Sequence, residues 1–318
     1  MTKVFIDGSA GTTGLRIDER FRERDDIEVI RIDDELRKDI NERKRLINSS
    51  DITFLCLPDD AARESVSLVE NENVCIIDTS TAHRTAPDWA YGFPELSAAH
   101  RDRIKNGKRI AVPGCYASGF IALVYPLIAG GIMSKDYPVS SFALSGYSGA
   151  GKKGIAGYEA SDRPREFDGG REYALTQQHK HLKEMHAVTG LDKVPLFSPI
   201  IDDYYSGMLV SVPLYTDMLP VKKSPEEIRK FYQAYYGEAN NASGFITIAD
   251  EDDEEAGTGF LASNHMSGND GLKIYITGNE DRVVLSAQFD NLGKGASGAA
   301  IQCMNIVLGC EETKGLHL

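Results

Sequence analysis

Lys3-Val4-Phe5-Ile6-Asp7-Gly8-Ser9-Ala10-Gly11-Thr12-Thr13-Gly14 joins a short β-type run, residues 3–6, to a turn with glycines at positions 8, 11 and 14, and an amphipathic segment, 15–24, follows. Strand, glycine-rich turn and helix open a dinucleotide-binding fold: the glycines let backbone approach a pyrophosphate, and the first helical amides meet its negative charge. The spacing is GxxGxxG rather than GxGxxG, and a plain tight turn shares it, so the reading depends on what comes next. Four further β-type runs follow, 28–32, 52–57, 74–78 and 109–112, with helical segments at 39–48 and 60–70 of a length suited to parallel crossovers. This pattern predicts an α/β fold with a Rossmann-type doubly wound parallel sheet. Such sheets bind ligands at the carboxyl ends of their strands. There the chain places Gly8, Gly11, Thr12, Thr13 and Gly14, then Pro58, then Ser80, all candidate cofactor contacts, and finally Pro113-Gly114-Cys115, so the cysteine and the glycine turn are expected on the same edge.

Cys115 follows a Pro-Gly turn and precedes an apolar run, 120–128, that reads as a buried helix beginning near the cysteine, which places Cys115 at a helix N-terminus. A helix N-terminus favours thiolate over thiol and so makes a usable nucleophile near neutral pH. The alternative is a small apolar side chain packed under the turn. After the second strand, Asp33 and Asp34 suit a ribose diol, hence NAD, whereas Arg31, Arg37 and Lys38 suit a 2′-phosphate; a solvated turn accounts for all five equally. Beyond the fourth strand, Arg84 has the chemistry to clamp a carboxylate or to sit as a surface arginine. Trp89 and its aromatic neighbours are expected to cover the sheet edge.

The chain has 318 residues, 42% hydrophobic and 26% charged, which suits two domains of an ordinary globular protein. Its net charge of -13 argues against a nucleic-acid surface, and no basic cluster offsets it. No apolar stretch has the length of a signal peptide or membrane span, so the expected location is cytoplasmic. The five cysteines, at 56, 75, 115, 303 and 310, lack paired spacing, which predicts neither disulfides nor a metal site.

After Gly130-Gly131 the pattern changes. Residues 140–144 read as a strand leading into a Gly/Ser-rich loop closed by lysines, 145–153. Its Ser145, Gly146, Ser148, Gly149 and Lys152 suit a phosphate cradle, although a flexible surface loop has the same composition. His179 and His181 share one polar segment without the spacing and third ligand of a metal site. A single histidine serving as general base for a thiol fits better, and an exposed pair without a role is the alternative. Further strands are read at 194–200, 207–214, 245–249, 273–277 and 282–289, and a helix at 225–236, so the second domain is expected to be α+β with a mixed or antiparallel sheet. Residues 250–255 read as a solvated acidic loop. Asn291 has the chemistry to bond a carboxamide or to sit in a turn, and an apolar helix runs on to Leu308. The expected division is 1–116 plus 294–318 for dinucleotide binding and 117–293 for catalysis, substrate binding and oligomerisation.

Together, GSAGTTG at 8–14, LCLPDDAARE at 55–64, DTSTAHRTAPDWAYGFPEL at 78–96, PGCYAS at 113–118, GYSGAGKK at 146–153, HKHLKEM at 179–185 and DNLGKGASGAAIQCMNI at 290–306 closely resemble the N-acetyl-gamma-glutamyl-phosphate reductases, in particular their shorter second subgroup. The resemblance runs nearly the full length. Larger-subgroup members tend to read DLSADFR, PGCYPT and HRHTPEI at the matching segments; the departures here leave the contacts of His83 and His179 open. The resemblance implies NADP-dependent reduction of N-acetyl-L-glutamyl 5-phosphate to the 5-semialdehyde with release of phosphate, a step of arginine biosynthesis. It implies Cys115 as nucleophile and His181 as proton carrier, with an oxyanion held by backbone N–H after Cys115. In that scheme residues 145–153 cradle phosphate, Arg84 clamps the substrate carboxylate and Asn291 orients the nicotinamide amide. A homo-oligomer, dimer or tetramer, is implied too. The rival readings are aspartate-semialdehyde dehydrogenase, similar in turn and cysteine chemistry, and a non-catalytic nicotinamide-sensing regulator.

Overall fold

Six strands form the first sheet: β1 (Thr2–Asp7), β2 (Ile27–Ile30), β3 (Ile52–Leu55), β4 (Cys75–Asp78), β5 (Ala90–Tyr91) and β6 (Arg109–Ala111). Their order is β2-β1-β3-β4-β6-β5 and every pairing is parallel. β3 and β4 are buried at every position, as strands covered on both faces must be. Alternation along β1 shows why: Val4 and Ile6 pack with Ile17, Phe21 and Ile301, whereas Phe5 packs with Leu46, Ile47 and Val74 on the opposite side. The doubly wound sheet expected from the glycine turn is therefore present. Two details differ. The first helix is Thr12–Phe21, so it begins inside the turn, and Ala90–Tyr91 does not merely cover the sheet edge but is itself the edge strand.

The computed structural model describes residues 1–318, the side chain of Glu238 excepted. It divides into two units, 1–114 with 296–316, and 115–295 with 317–318. The second unit carries β7 (Ser140–Gly146), β8 (Arg171–Glu172), β9 (Leu196–Asp202), β10 (Met208–Tyr215), β11 (Ile246–Ile248), β12 (Leu272–Gly278) and β13 (Arg282–Phe289), in the order β11-β12-β13-β10-β7-β9-β8. Its pairings mix parallel (β7 with β9, β11 with β12) and antiparallel ladders. A mixed sheet was the expectation, though the two-residue β8 is too short to carry a sequence pattern.

One face of this sheet packs against the helix Cys115–Ala129, largely apolar and buried along most of its length. Pro126 lies inside that helix and cannot donate to the carbonyl of Ala122. The Tyr236 hydroxyl supplies the missing donor to Ala122 O at 2.8 Å, and the Tyr232 hydroxyl bonds the neighbouring Leu123 carbonyl. Both tyrosines come from the helix Pro225–Tyr235 and its C-terminal cap, which starts with a Ser224–Glu227 capping box. The segment 145–153, expected as a loop, is the end of β7, a short 3₁₀ turn (Tyr147–Ala150) and the start of the helix Gly151–Glu159. Nor is 250–255 simply a solvated loop. Asp253 caps a helical turn and pairs with Lys273, while Glu255 accepts from Ala262 N (2.8 Å), Tyr275 Oη (2.8 Å) and Gln288 Nε2 (2.9 Å). Those bonds outweigh its burial and hold the Glu255 carboxyl below its ordinary value.

Candidate active site

In the first unit, the turn after β1 has Gly8 at φ +91°, where a Cβ would collide with the Cys56 carbonyl oxygen. A Cβ at Gly14 would lie 2.5 Å from Gly8 O. Gly11 N donates to Gly8 O at 2.9 Å, and Gly11 caps the helix Thr12–Phe21 without any side-chain bond to its first amides. No acidic residue occupies that first turn. Tight backbone, open helical N–H groups and no competing carboxylate fit the pyrophosphate of a dinucleotide. Gly8, Gly11, Thr12, Thr13 and Gly14 thus share one strand end.

The loops after β3 and β4 lie at the same sheet edge, yet their side chains bond one another. Pro58 caps the helix Asp59–Ser67, and Asp59 accepts from Thr81 N (2.9 Å) and from the Thr81 hydroxyl. Fully buried Asp78 accepts from Ser80 N (2.9 Å) and Ser80 Oγ (2.8 Å) and pairs with His83 Nδ1 at 2.7 Å. His83 also stacks on Trp89, with ring centroids 4.1 Å apart and planes 10° from parallel. Arg84, 9% exposed, donates Nε to Val112 O (2.8 Å) and Nη2 to Thr79 O (2.9 Å), tying the end of β4 to the segment after β6. These groups stiffen the loops, and Arg84 spends two donor groups on backbone.

In the second unit, Cys115 is the first residue of its helix, half-buried, with no acidic residue in the first turn. Dipole and amides there favour a thiolate. Other thiols are different: burial pushes Cys56 up to about 12 and Cys75 up to about 11, so both stay protonated at neutral pH. The chain also folds back closely on Cys115 at Gly295, where a Cβ would lie 2.9 Å from Cys115 Cβ. Only glycine permits that approach.

His181 is 5% exposed and caps the helix Leu182–Thr189, which packs against the Cys115 helix. The Tyr116 ring lies 6.0 Å from the His181 ring and 5.6 Å from His179, and His179 meets His181 edge-on at 4.7 Å. His179 Nδ1 accepts from His181 N at 3.1 Å, so its proton sits on Nε2, facing the Tyr173 hydroxyl at 3.4 Å. The intervening loop reaches this arrangement through left-handed backbone at Ala174 and Gln177 (φ 53° and 57°), with the Gln177 side chain bonded to both Phe197 N and O at 2.9 Å. Burial, then the nearby Tyr173 and Cys115, push the Tyr116 hydroxyl well above its ordinary value, so it stays a neutral donor.

Ser145 and Ser148 are buried and Gly149 is exposed, while Lys152 projects exposed from the first turn of its helix. Asn291, 2% exposed, joins this turn: its Nδ2 donates to Ser148 Oγ and its Oδ1 accepts from Gly207 N, both at 2.9 Å. The structure therefore brings Cys115, Tyr116, His179 and His181 together in one unit and joins Asn291 to the Ser148 turn.

A family model described as semialdehyde dehydrogenase, NAD binding domain, matches residues 2–106, and one described as semialdehyde dehydrogenase, dimerisation domain, matches 115–291. N-acetyl-gamma-glutamyl-phosphate reductase 2 of Nostoc sp. is 45% identical, with 99% of each chain covered. The N-acetyl-gamma-glutamyl-phosphate reductase of Brucella ovis is 44% identical over 96% of this chain and 99% of its own. The chain belongs to the N-acetyl-gamma-glutamyl-phosphate reductase family, within the semialdehyde dehydrogenases. Solved aspartate semialdehyde dehydrogenases share the fold: that of Francisella tularensis has a TM-score of 0.71 at 16% identity, covering 97% of this chain and 100% of that one. The second enzyme of Vibrio cholerae has 0.70 at 15%, covering 97% and 98%.

As a member of this reductase family, the chain has neighbours of the cysteine that sequence reasoning missed: Tyr116, Tyr173 and Gly295. Tyr116 adjoins the nucleophile and the Tyr173 signal is its place six residues before His179, but aromatic residues carry no chemical signature until the fold joins them. Among the described residues no cluster of three or more metal-ligating side chains occurs, and no helix is long and apolar enough to cross a membrane.

Proposed function

We propose that this reductase-family chain catalyses the NADPH-dependent reduction of N-acetyl-L-glutamyl 5-phosphate to the 5-semialdehyde, releasing phosphate, as a step of arginine biosynthesis in the cytoplasm. The observation that carries the reading is a half-buried helix-start cysteine followed in the chain by Tyr116, whose ring lies 6.0 Å from that of the covered His181, in a chain 45% identical to a named reductase along its whole length.

Cys115 attacks the acyl carbon as thiolate; the C–O bond to phosphate breaks and a thioester remains. A nicotinamide dinucleotide, when bound, supplies the hydride that reduces this thioester. His181 takes the thiol proton before attack and gives it to the thiohemiacetal oxygen after reduction. In the collapse it takes that proton back as the C=O bond re-forms and the C–S bond breaks, which releases the aldehyde and returns the sulfur of Cys115 as thiolate beside the imidazolium. Backbone N–H groups at the helix start after Cys115 hold the developing oxyanion. Ser145, Gly146, Ser148, Gly149 and Lys152 form the proposed phosphate cradle, with Asn291 fixing Ser148; in this reading the remaining amide hydrogen of Asn291 serves the nicotinamide carboxamide. For the cofactor, Gly8 to Gly14 would hold the pyrophosphate, and Pro58 and Ser80 would shape the adjoining wall. NADP is favoured over NAD because the residue directly after β2 is Arg31, held by Asp18 at 2.7 Å yet largely exposed, whereas Asp33 and Asp34 come later.

The exposed side chains Phe142, Leu196 and Tyr215 share the outer face of β7, β9 and β10, which supports a homo-oligomer formed through this sheet. A Phe142→Glu chain that sediments as a monomer, while the parent does not, would bear this out; an unchanged sedimentation coefficient contradicts it. The activity is tested by mixing the protein with N-acetylglutamate semialdehyde, phosphate and either NADP or NAD. The expected result is phosphate-dependent reduction of NADP, faster than of NAD. Turnover only of aspartate semialdehyde would overturn the substrate assignment.

A further inference from the structure

Arg171 opens β8, the edge strand of the second sheet, two residues before Tyr173. It pairs with Ile201 of β9, and the ladder continues as Tyr173 N donates to Pro199 O at 3.0 Å. Side chains two apart on a strand share a face. Tyr173 faces Tyr116 and His179, with ring centroids 6.3 Å and 5.6 Å away, so Arg171 stands on the side of the strand that carries the candidate chemistry. The Tyr116 hydroxyl donates to Ile200 O at 3.4 Å, one residue along β9 from the partner of Arg171.

The environment of Arg171 is unusual for this chain. Acidic residues outnumber basic ones, 48 to 35, yet no carboxylate lies within ion-pair distance of Arg171 among the described residues. Its guanidinium lies over the Phe167 ring, 3.6 Å from the centroid, and 5.0 Å from that of Tyr158. Nη2 donates to the Tyr158 hydroxyl at 2.8 Å, and buried Nε has no hydrogen-bond partner. One face is thus covered by aromatic carbon, the orientation is fixed by one bond, and N–H groups in the plane lack an anionic acceptor. That is the arrangement with which arginine binds a carboxylate edge-on. The nearby Arg163, by contrast, is consumed by Asp203 (2.6 Å) and Asp168 (2.8 Å).

We propose that Arg171, braced by Phe167 and Tyr158, binds the free α-carboxylate of the acyl substrate and so selects an amino-acid-derived acyl phosphate over an uncharged one. This rests on the reaction proposed above. The α-carboxylate rather than the phosphate is the assigned group because Tyr158 stacks on Tyr147 at 4.7 Å, which puts one aromatic pair between Arg171 and the Ser148 turn proposed for phosphate. Arg171 then acts in recognition and takes no part in bond making.

The test uses the intact enzyme in the oxidative direction with two aldehydes: N-acetylglutamate semialdehyde and 4-acetamidobutanal, which is the same molecule without its carboxylate. For Arg171→Ala, KM for the carboxylated aldehyde is expected to rise about thirty-fold or more, as for the loss of one partner of a covered charge pair. KM for phosphate and for NADP should hold, turnover of 4-acetamidobutanal should match the parent, and Arg171→Lys should recover part of the loss. Thermal melting of each variant checks the fold. Equal losses with both aldehydes would show a merely structural arginine and overturn the proposal, as would a rise confined to the phosphate KM. A parent enzyme inactive with N-acetylglutamate semialdehyde would instead overturn the underlying reaction.

Discussion

The strand-end loops of the first unit and the cysteine surroundings of the second are both rich in polar side chains, but they use them differently. Around β4, Asp78, Ser80, His83, Asp59, Thr81 and Arg84 bond one another or backbone carbonyls, and what they offer a ligand is stiff backbone. Around Cys115, the imidazoles, Tyr116 and Tyr173 meet through ring edges and long hydrogen bonds. Arg84 belongs to the first of these groups and Arg171 to the second unit. Substitutions in the second region should therefore damage rate or recognition with little loss of stability, and those in the first should do the reverse.

The largest effect is expected at Cys115. Cys115→Ala should abolish turnover and leave the melting temperature nearly unchanged, since the replacement removes one sulfur from a half-buried site; steady-state turnover above background would break the division. His181→Asn should lower kcat by about a hundredfold or more, with a melting curve close to the parent's, and near-parent kcat across the pH range would remove His181 from the chemistry. For Arg84→Ala the order reverses. Two carbonyls, Val112 O and Thr79 O, lose their donor, at about 1–3 kcal/mol each when buried. Denaturant unfolding should register a loss of about 3 kcal/mol, with KM for the carboxylated aldehyde changing far less than in Arg171→Ala. A larger KM effect at Arg84 than at Arg171 would exchange their roles.

The smallest effect lies outside both regions and serves as a control. The Arg24 guanidinium beside Asp26 holds its carboxyl well below the usual carboxylate range. A depressed folded value contributes stability that is present above the unfolded value, near 3.9, and lost as pH falls through the folded one. Asp26→Asn should therefore melt slightly below the parent at pH 7, with the gap closing as the medium is acidified well below pH 4. Activity should not change.

Much of this was legible in the sequence. The alternation of β runs and helical segments after Gly8 to Gly14 is local information, and it located the parallel sheet to within a few residues. The helix expected to begin near the cysteine begins at Cys115 itself, even though Ala117-Ser118-Gly119 looks loop-like. Gly119 is there for packing: a Cβ would lie 2.7 Å from Val210 Cγ2 and 2.8 Å from Phe289 Cε1. Arg84 looked available because its acceptors, Thr79 O and above all Val112 O 28 residues away, are backbone atoms with no signature. Glu255 looked solvated because Tyr275 and Gln288, which cover it, belong to later strands. Arg171 carried no signal at all: its meaning comes from rings at 158 and 167 and from a missing carboxylate.

The account stands on a covalent thioester at Cys115, and that can be observed directly. Enzyme mixed with N-acetylglutamate semialdehyde and NADP, but no phosphate, should form about one NADPH per active chain in a single burst. Mass spectrometry should then place an acyl group on the peptide containing Cys115, and phosphate added afterwards should discharge it. No burst without phosphate, or an acyl group on another residue, would contradict the account.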